Sequence, residues 1–237
     1  ALDHLQFDYL QLLSPTCLPI KPVSALQEHV ASNRTEADFS CVELLDEPDG
    51  LMTASFRAFA PEHSLRHRIL RRLSRTYYGP SSARRDVAGI QLRAEPLRET
   101  HLARLLARIA LQITRAWAHP AVGRHIFDEK LRPCFGSAWF GARRQVIEWM
   151  VDRFAQPDIQ RYFPRVRMPE ELVIPTLLQN SGFRSGPYNH CIVTFSDANP
   201  KWLEDEDFKI LERSPAFFAR KFPVDTASPI RARVLRE

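Results

Sequence analysis

Phe217-Phe218-Ala219-Arg220-Lys221-Phe222 closes a series of four short strings, after Phe135-Gly136-Ser137-Ala138-Trp139-Phe140, Met168-Pro169-Glu170-Glu171 and Gln179-Asn180-Ser181-Gly182-Phe183. In the last string, aromatic residues flank a cation pair, and the plain reading is a surface pair beside an aromatic plug. Glu170 and Glu171 follow a proline that suits a first helical turn, where two acids complement the macrodipole. Pro175 lies four residues after Glu171 and cannot donate to its carbonyl, so a kink is predicted there. An irregular helix start is a good place to aim a carboxylate into a cleft. Gly136, Ser137 and Ala138 ahead of Trp139 suit close backbone approach to a ring, or a tight turn into a buried Trp.

Working outward, Tyr9 to Leu13 reads as a short buried strand bounded by Ser14-Pro15. Ser24 with Gln27 predicts a capping box and a helix. Asp38 to Leu44 and Met52 to Ala60 read as strands, with a turn at Pro48-Asp49-Gly50. Ser64 starts a basic helix with Leu65, Ile69, Leu70 and Leu73 on one face, ended at Tyr78-Gly79-Pro80. From Thr100 to Trp117, Leu102, Leu105, Leu106, Ile109, Ile113 and Trp117 recur at helical spacing. A core-facing helix is the first reading of that stripe and a membrane-surface helix the second. Further helices are expected around Val146–Phe154, after Pro169 and over Glu204–Leu211, with a strand over His190–Phe195. Strands alternating with helices point to an α/β layered domain.

The 237 residues are long enough to bury a sizeable core. Their 44% hydrophobic and 26% charged composition is that of an ordinary globular chain. No apolar run reaches the ~18 residues of a membrane-spanning helix. The net charge of +5, with Arg far outnumbering Lys, suits an anionic ligand, nucleic acid or an acidic membrane surface without choosing among them. Cys17, Cys41, Cys134 and Cys191 are far apart in sequence, with mostly apolar or turn neighbours. Buried free thiols are the first reading and two disulfides the second, and a cytoplasmic setting is expected, with a membrane-peripheral one as the alternative.

In order and spacing, the four strings resemble the core-2/I-branching β-1,6-N-acetylglucosaminyltransferase family, which includes the peptide O-xylosyltransferases. Phe7-Asp8-Tyr9-Leu10-Gln11-Leu12-Leu13-Ser14 with Leu18-Pro19-Ile20-Lys21-Pro22 is similar to the family's strand and its "LSG-x-x-x-P-I/L-K" turn. The resemblance covers about residues 5 to 225, with a poorly matched middle. It implies a GT-A-type, Rossmann-like mixed sheet flanked by helices, in one catalytic domain over 1–237. Residues 61–125 would form a variable helical acceptor side. It also implies that the first strands of the nucleotide-binding half precede Phe7 in a longer, bacterial, chain.

The implied activity is inverting transfer of a sugar, N-acetylglucosamine or xylose, from its UDP form to a glycan or other hydroxyl acceptor in polysaccharide biosynthesis. No cofactor or metal is implied, because the UDP-sugar is itself the donor substrate. Glu171 matches the family's catalytic base, beside Glu170. Lys221 matches the lysine that holds the donor diphosphate. Gly136, Ser137 and Trp139 match the cleft lining. The family's second diphosphate cation, an arginine upstream, has no match, and Arg220, His190 or Lys201 would stand in. Cys17 occupies the place of an aspartate found in many members, and sulfur is a poor ligand for a hard cation.

Asp205-Glu206-Asp207 is the lone D-x-D string and reads as a solvated helix face. His63, His67, His119 and His125 make no ligand set. The rival class is a binding module, with Arg66 to Arg85 and Tyr77-Tyr78 gripping nucleic acid or an acidic polymer. A degenerate transferase without turnover is the other alternative. The transferase reading expects no nucleic-acid partner.

Overall fold

The computed structural model describes residues 6–47, 50, 63–78, 84–87, 90–93, 101–118, 126–166, 168–196 and 199–235. Strands β1 (Tyr9–Gln11) and β2 (Leu18–Pro19) lead into helix α1 (Val23–Ser32), then β3 (Ala37–Asp38) and β4 (Cys41–Glu43). Next come α2 (Leu65–Tyr78), β5 (Arg84–Val87), β6 (Ile90–Arg93) and α3 (Leu102–Ala118). They are followed by β7 (Cys134–Gly136), β8 (Gly141–Arg143), α4 (Arg144–Phe154), α5 (Pro157–Tyr162) and α6 (Glu170–Gln179). The chain continues through β9 (Ser185–Gly186), β10 (Cys191–Val193), β11 (Phe195–Ser196) and β12 (Asn199–Pro200). It then runs through α7 (Phe208–Arg213), β13 (Phe218–Arg220) and α8 (Pro229–Val234). Parallel and antiparallel pairings coexist, so the fold is mixed α/β.

The chain divides into two compact units. The first comprises Ala1–Phe39, Trp139–Ile147 and Phe183–Glu237. It holds a four-stranded sheet in the order β1-β8-β3-β9 and a three-stranded sheet in the order β10-β13-β2. In the second of these, β13 is central, parallel to β10 and antiparallel to β2. A central strand buried on both faces needs small or apolar side chains. Phe218 and Ala219 meet that need, and Ala219 has no exposed surface. Leu203, Phe208, Leu211, Phe222 and Ile230 pack with Ala219 into one core. Gly186 of β9 lies opposite Asp38 of β3, and a Cβ there would collide with the Asp38 Oδ1.

The second unit comprises Ser40–Ala138 and Glu148–Gly182. β4 and β7 pair antiparallel in it, and α2 and α3 pack on each other through Leu70, Tyr77, Tyr78, Ala107 and Leu111. A larger core joins Leu44, Phe127, Ile159, Phe163, Leu172 and Leu177. The Asn180-Ser181-Gly182 string has a structural role here. The Asn180 side chain accepts the Arg132 N–H at 3.0 Å and donates to the Arg132 carbonyl at 2.9 Å. Thr176, fully buried, accepts the Cys134 N–H at 2.9 Å and donates to the Cys134 carbonyl at 3.1 Å. Helix α6 is thereby stitched to β7.

Several local expectations change. Ser24 is not a cap: α1 starts at Val23 behind Pro22, with no side-chain cap, because the proline presets the entry angle. The strand expected over Asp38–Leu44 breaks into β3 and β4, which join different sheets. Ser64 does cap α2, accepting the His67 N–H at 3.1 Å. The buried face of α2 is His67, Leu70, Ser74, Tyr77 and Tyr78, whereas Leu65 and Ile69 are exposed. The Leu/Ile stripe of α3 is exposed too, so its core-facing reading fails. Small Ala107 lets α2 and α3 approach on the opposite side, where Ala107 and Leu111 are buried. The expected Met52–Ala60 strand, Pro48-Asp49, residues 79–83, His119 and His125 lie outside the described residues.

Thr176→Val keeps side-chain volume but leaves the buried Cys134 N–H without its acceptor. It should cost about 1–3 kcal/mol, read as a lower urea midpoint at unchanged slope. An unchanged midpoint would show that the stitch carries no stability.

Candidate functional site

The Phe217–Phe222 segment is pinned along its length. The His190 carbonyl accepts the Phe217 and Phe218 N–H groups at 3.1 and 3.0 Å. Ile20 donates to the Phe217 carbonyl, Leu203 donates to the Lys221 carbonyl, and Phe222 donates to the Thr16 carbonyl, each at 2.9 Å. Phe217, Phe218 and Phe222 are buried, as a plug requires, while Arg220 and Lys221 stay half-buried at the strand end.

Neither cation has a carboxylate partner among the described residues. The Arg220 guanidinium lies 5.0 Å over the Trp139 ring, and its buried Nε has no hydrogen-bond partner. The Lys221 ammonium lies 3.9 Å over the Trp202 ring. An aromatic face attracts a cation without neutralising it, so the charge remains available to an anion.

The Ser14–Cys17 turn meets this segment through the bond from Phe222 to Thr16. Ser14 Oγ lies 3.0 Å from Thr16 Oγ1 and 3.1 Å from Cys17 Sγ, and the Ser14 N–H reaches the same sulfur at 3.3 Å. A hydrogen bond from the Cys191 thiol brings the Cys17 thiol down to about 6. Burial opposes that shift, while the Ser14 groups and the Arg220 charge reinforce it. The Cys191 thiol is pushed up in turn, first by its bond to Cys17 and then by burial. All four cysteines are free, as expected, with Cys41 the least buried.

Two of the three candidates for the second cation are otherwise engaged. Lys201 pairs with Asp207 at 3.0 Å and Glu204 at 3.6 Å. His190 is fully buried, with Nε2 at 3.2 Å from the Asp38 Oδ2. That is a contact at ion-pair distance and not an aligned hydrogen bond. Arg220 remains. The D-x-D string is also not a solvated face: Asp207 is buried, holds Lys201 and accepts the Glu204 N–H at 2.9 Å, closing a capping box on a short 3₁₀ turn. Asp205 faces Arg233 at 3.7 Å.

Sequence reasoning missed the group His29, Asp38 and His190. Tyr9 donates to Asp38 at 2.7 Å, and the ring of His190 meets those of His29, Tyr188 and Phe217 edge-on near 5 Å. Burial raises the Asp38 carboxyl, but His190, the Tyr9 bond and the His29 charge outweigh it and hold it below the usual range. Burial and the His190 charge lower His29. Burial and the Asp38 charge raise Tyr9. Two imidazoles and a carboxylate are a ligand set for zinc in kind. Their ligand atoms all lie within 4.8 Å of one another, but Asp38 and His190 already spend their facing atoms on each other. The group fits a structural buried contact better than a metal centre. Residues 29, 38 and 190 form no short motif, so no spacing signal announces them.

The other selected residues belong to the second unit. Glu170 is exposed and Glu171 half-buried in the first turn of α6, which runs through Pro175. Gly136 is buried in β7, where a Cβ would strike the Ser40 carbonyl, so its small size serves approach to the β4 side and not to a ring. The Ser137 N–H reaches the same carbonyl at 3.3 Å. A hollow in this unit lined by Asp128, Lys130, Trp149, Arg153 and Asp158 contains none of the selected residues, and Arg153 there is bidentate on Asp158. No family model matches the chain, and no curated protein matches it.

Asp38→Asn removes the charge facing buried His190 and should cost about 3–5 kcal/mol in a denaturant melt at neutral pH. The depressed Asp38 carboxyl stabilises the fold above its unfolded value of about 3.9 and loses that contribution as pH falls through its lower folded value. The gap between wild type and Asp38→Asn should therefore narrow in acid. A gap independent of pH would contradict a carboxylate held below its usual range at Asp38.

Proposed function

We propose that the chain carries the diphosphate-holding and base-bearing parts of an inverting, metal-independent glycosyltransferase of GT-A type. Its donor is a UDP-sugar, and its acceptor is a hydroxyl of a glycan or similar molecule. The observation that carries the reading is the meeting of the Ser14–Cys17 turn with Arg220-Lys221-Phe222, about two hundred residues away. The resemblance assigns the second of these segments to the donor diphosphate and matches the first to the family's turn after its strand. Two cations held on aromatic rings, without carboxylate partners among the described residues, suit a diphosphate.

In the proposed reaction the acceptor oxygen attacks the anomeric carbon, and the bond from that carbon to the diphosphate oxygen breaks. The departing UDP takes the electron pair, and Lys221 and Arg220 hold the charge that develops. Glu171, the base by resemblance, receives the hydroxyl proton, help worth ~10²–10⁴ in rate. Substrate alignment supplies much of the rest. The binding-module alternative keeps one observation in its favour, the exposed arginines of α2.

Calorimetry with UDP separates these readings. Lys221→Ala should weaken UDP binding by roughly tenfold or more, since a charge-assisted contact is lost. Lys221→Arg should restore part of it. Glu171→Gln should leave UDP affinity nearly intact and cut turnover by ~10² or more, with wild-type turnover persisting in excess chelator. UDP affinity indifferent to Lys221, or nucleic-acid binding that falls steeply with salt and replaces UDP binding, would overturn the transferase reading.

A further inference from the structure

The second unit has a hollow of about 210 Å³ between the 126–131 loop, α4, the start of α5 and the end of α6. Pockets for drug-sized ligands begin near ~300 Å³, so this one suits a ligand of a single ring. The half-buried Trp149 of α4 is its one aromatic lining residue. Asp128, Lys130, Arg153, Asp158 and Asn180 supply its polar lining.

Most of that polar lining is fixed before any ligand arrives. The Asp128 Oδ1 accepts the Lys130 and Leu131 N–H groups, both at 2.8 Å, which sets the direction of the carboxylate and leaves its other oxygen to a ligand. Arg153 donates to the two Asp158 oxygens at 2.9 and 2.7 Å. That planar fork leaves spare lone pairs on the carboxylate and spare N–H groups on the guanidinium. Asn180 is held by Arg132 and Thr176. The exposed Lys130 has no carboxylate partner among the described residues.

The charges of the hollow cancel: Asp128 and Asp158 against Lys130 and Arg153. An ion entering it would lose hydration and meet no net charge to offset that loss. A neutral ring with many hydroxyls meets fixed donors and acceptors at its edge and an aromatic surface on its C–H side. We propose that the hollow binds a neutral sugar ring, stacked on Trp149, with its hydroxyls bonded to the Asp128 carboxylate and the Arg153–Asp158 fork. A hydroxyl both donates and accepts, so adjacent hydroxyls serve a carboxylate oxygen and a guanidinium N–H side by side. A nucleobase suits the hollow less, because it has two flat faces to cover and Trp149 is the one ring present. Exposed Asp128 and Lys130 mark the open side, where the sugar continues into a longer glycan. The inference concerns the second unit alone and does not depend on the transferase reading.

Saturation-transfer NMR on the full chain without nucleotide tests it, with the methyl glycosides of glucose, galactose, xylose and N-acetylglucosamine as probes. At least one should bind saturably with a Kd of ~1 mM, with the strongest transfer to ring C–H protons. Trp149→Phe keeps an aromatic side chain in the core and should weaken binding about fivefold. Arg153→Lys keeps the charge balance but breaks the fork, and should weaken it about tenfold. Neither variant should change UDP affinity, which Lys221→Ala lowers, so the two readings fail separately. Glucuronic acid and glucosamine, the charged counterparts of glucose, should bind more weakly than glucose. Transfer to none of the four sugars overturns the proposal, as does transfer that both variants leave unchanged. Tighter binding of a charged counterpart, or uridine held at Trp149 in preference to the sugars, overturns it as well.

Discussion

The contact between Asp38 and His190 braces the candidate site. Asp38 belongs to the four-stranded sheet and His190 directly precedes β10 of the three-stranded one, so the buried pair joins the two sheets of the first unit. His190 adopts a left-handed backbone at φ 60°, an uncommon setting for a residue with a side chain. From there its carbonyl receives both N–H groups that open the Phe217–Phe222 segment. A buried carboxylate is costly and stays only where its geometry is held, which Tyr9 and the absence of a Cβ at Gly186 provide. The position of Arg220 and Lys221 therefore depends on a carboxylate and an imidazole that themselves face no solvent.

What the site offers is positive charge without a protein counter-ion of carboxylate type. Several cations among the described residues are paired with acids: Arg132 meets Glu43 and Asp46, and Arg153 meets Asp158. Arg220 and Lys221 instead rest on Trp139 and Trp202, beside a turn whose acid-like member is a thiol. An ion pair would compete with an incoming diphosphate, whereas an aromatic support orients the cation and leaves it ready. Lys201 and Asp207 illustrate the other outcome, in which a D-x-D string spends its charge on a neighbouring lysine and a backbone amide.

The sequence made legible whatever is local. Burial of Phe217, Phe218 and Phe222, the start of α2 at Ser64, and α6 beginning just after Pro169 follow from plug, cap and proline rules that need only a few neighbouring residues. The mixed α/β class followed from alternating patterns. What was not legible is set by distant partners. The His29–Asp38–His190 group draws on three parts of the chain, and Asp207 is buried because Lys201 and the Glu204 amide reach it. The α3 stripe is the instructive failure. Helical periodicity identifies an apolar face but cannot say what faces it, and here the helix packs through Ala107 and Leu111 on its other side instead. Gly136 carries the same lesson on a smaller scale, since its missing side chain makes room for a strand backbone.

The central claim is that Arg220 and Lys221 hold the diphosphate of a nucleotide-sugar without a metal. Its most direct measurement is a crystal structure of the protein with UDP, grown in chelator. The account predicts a diphosphate within about 3 Å of the Lys221 Nζ and the Arg220 guanidinium, beside the Ser14–Cys17 turn. A diphosphate bound away from both cations, or one that appears only with a divalent ion at Asp205 and Asp207, would contradict it.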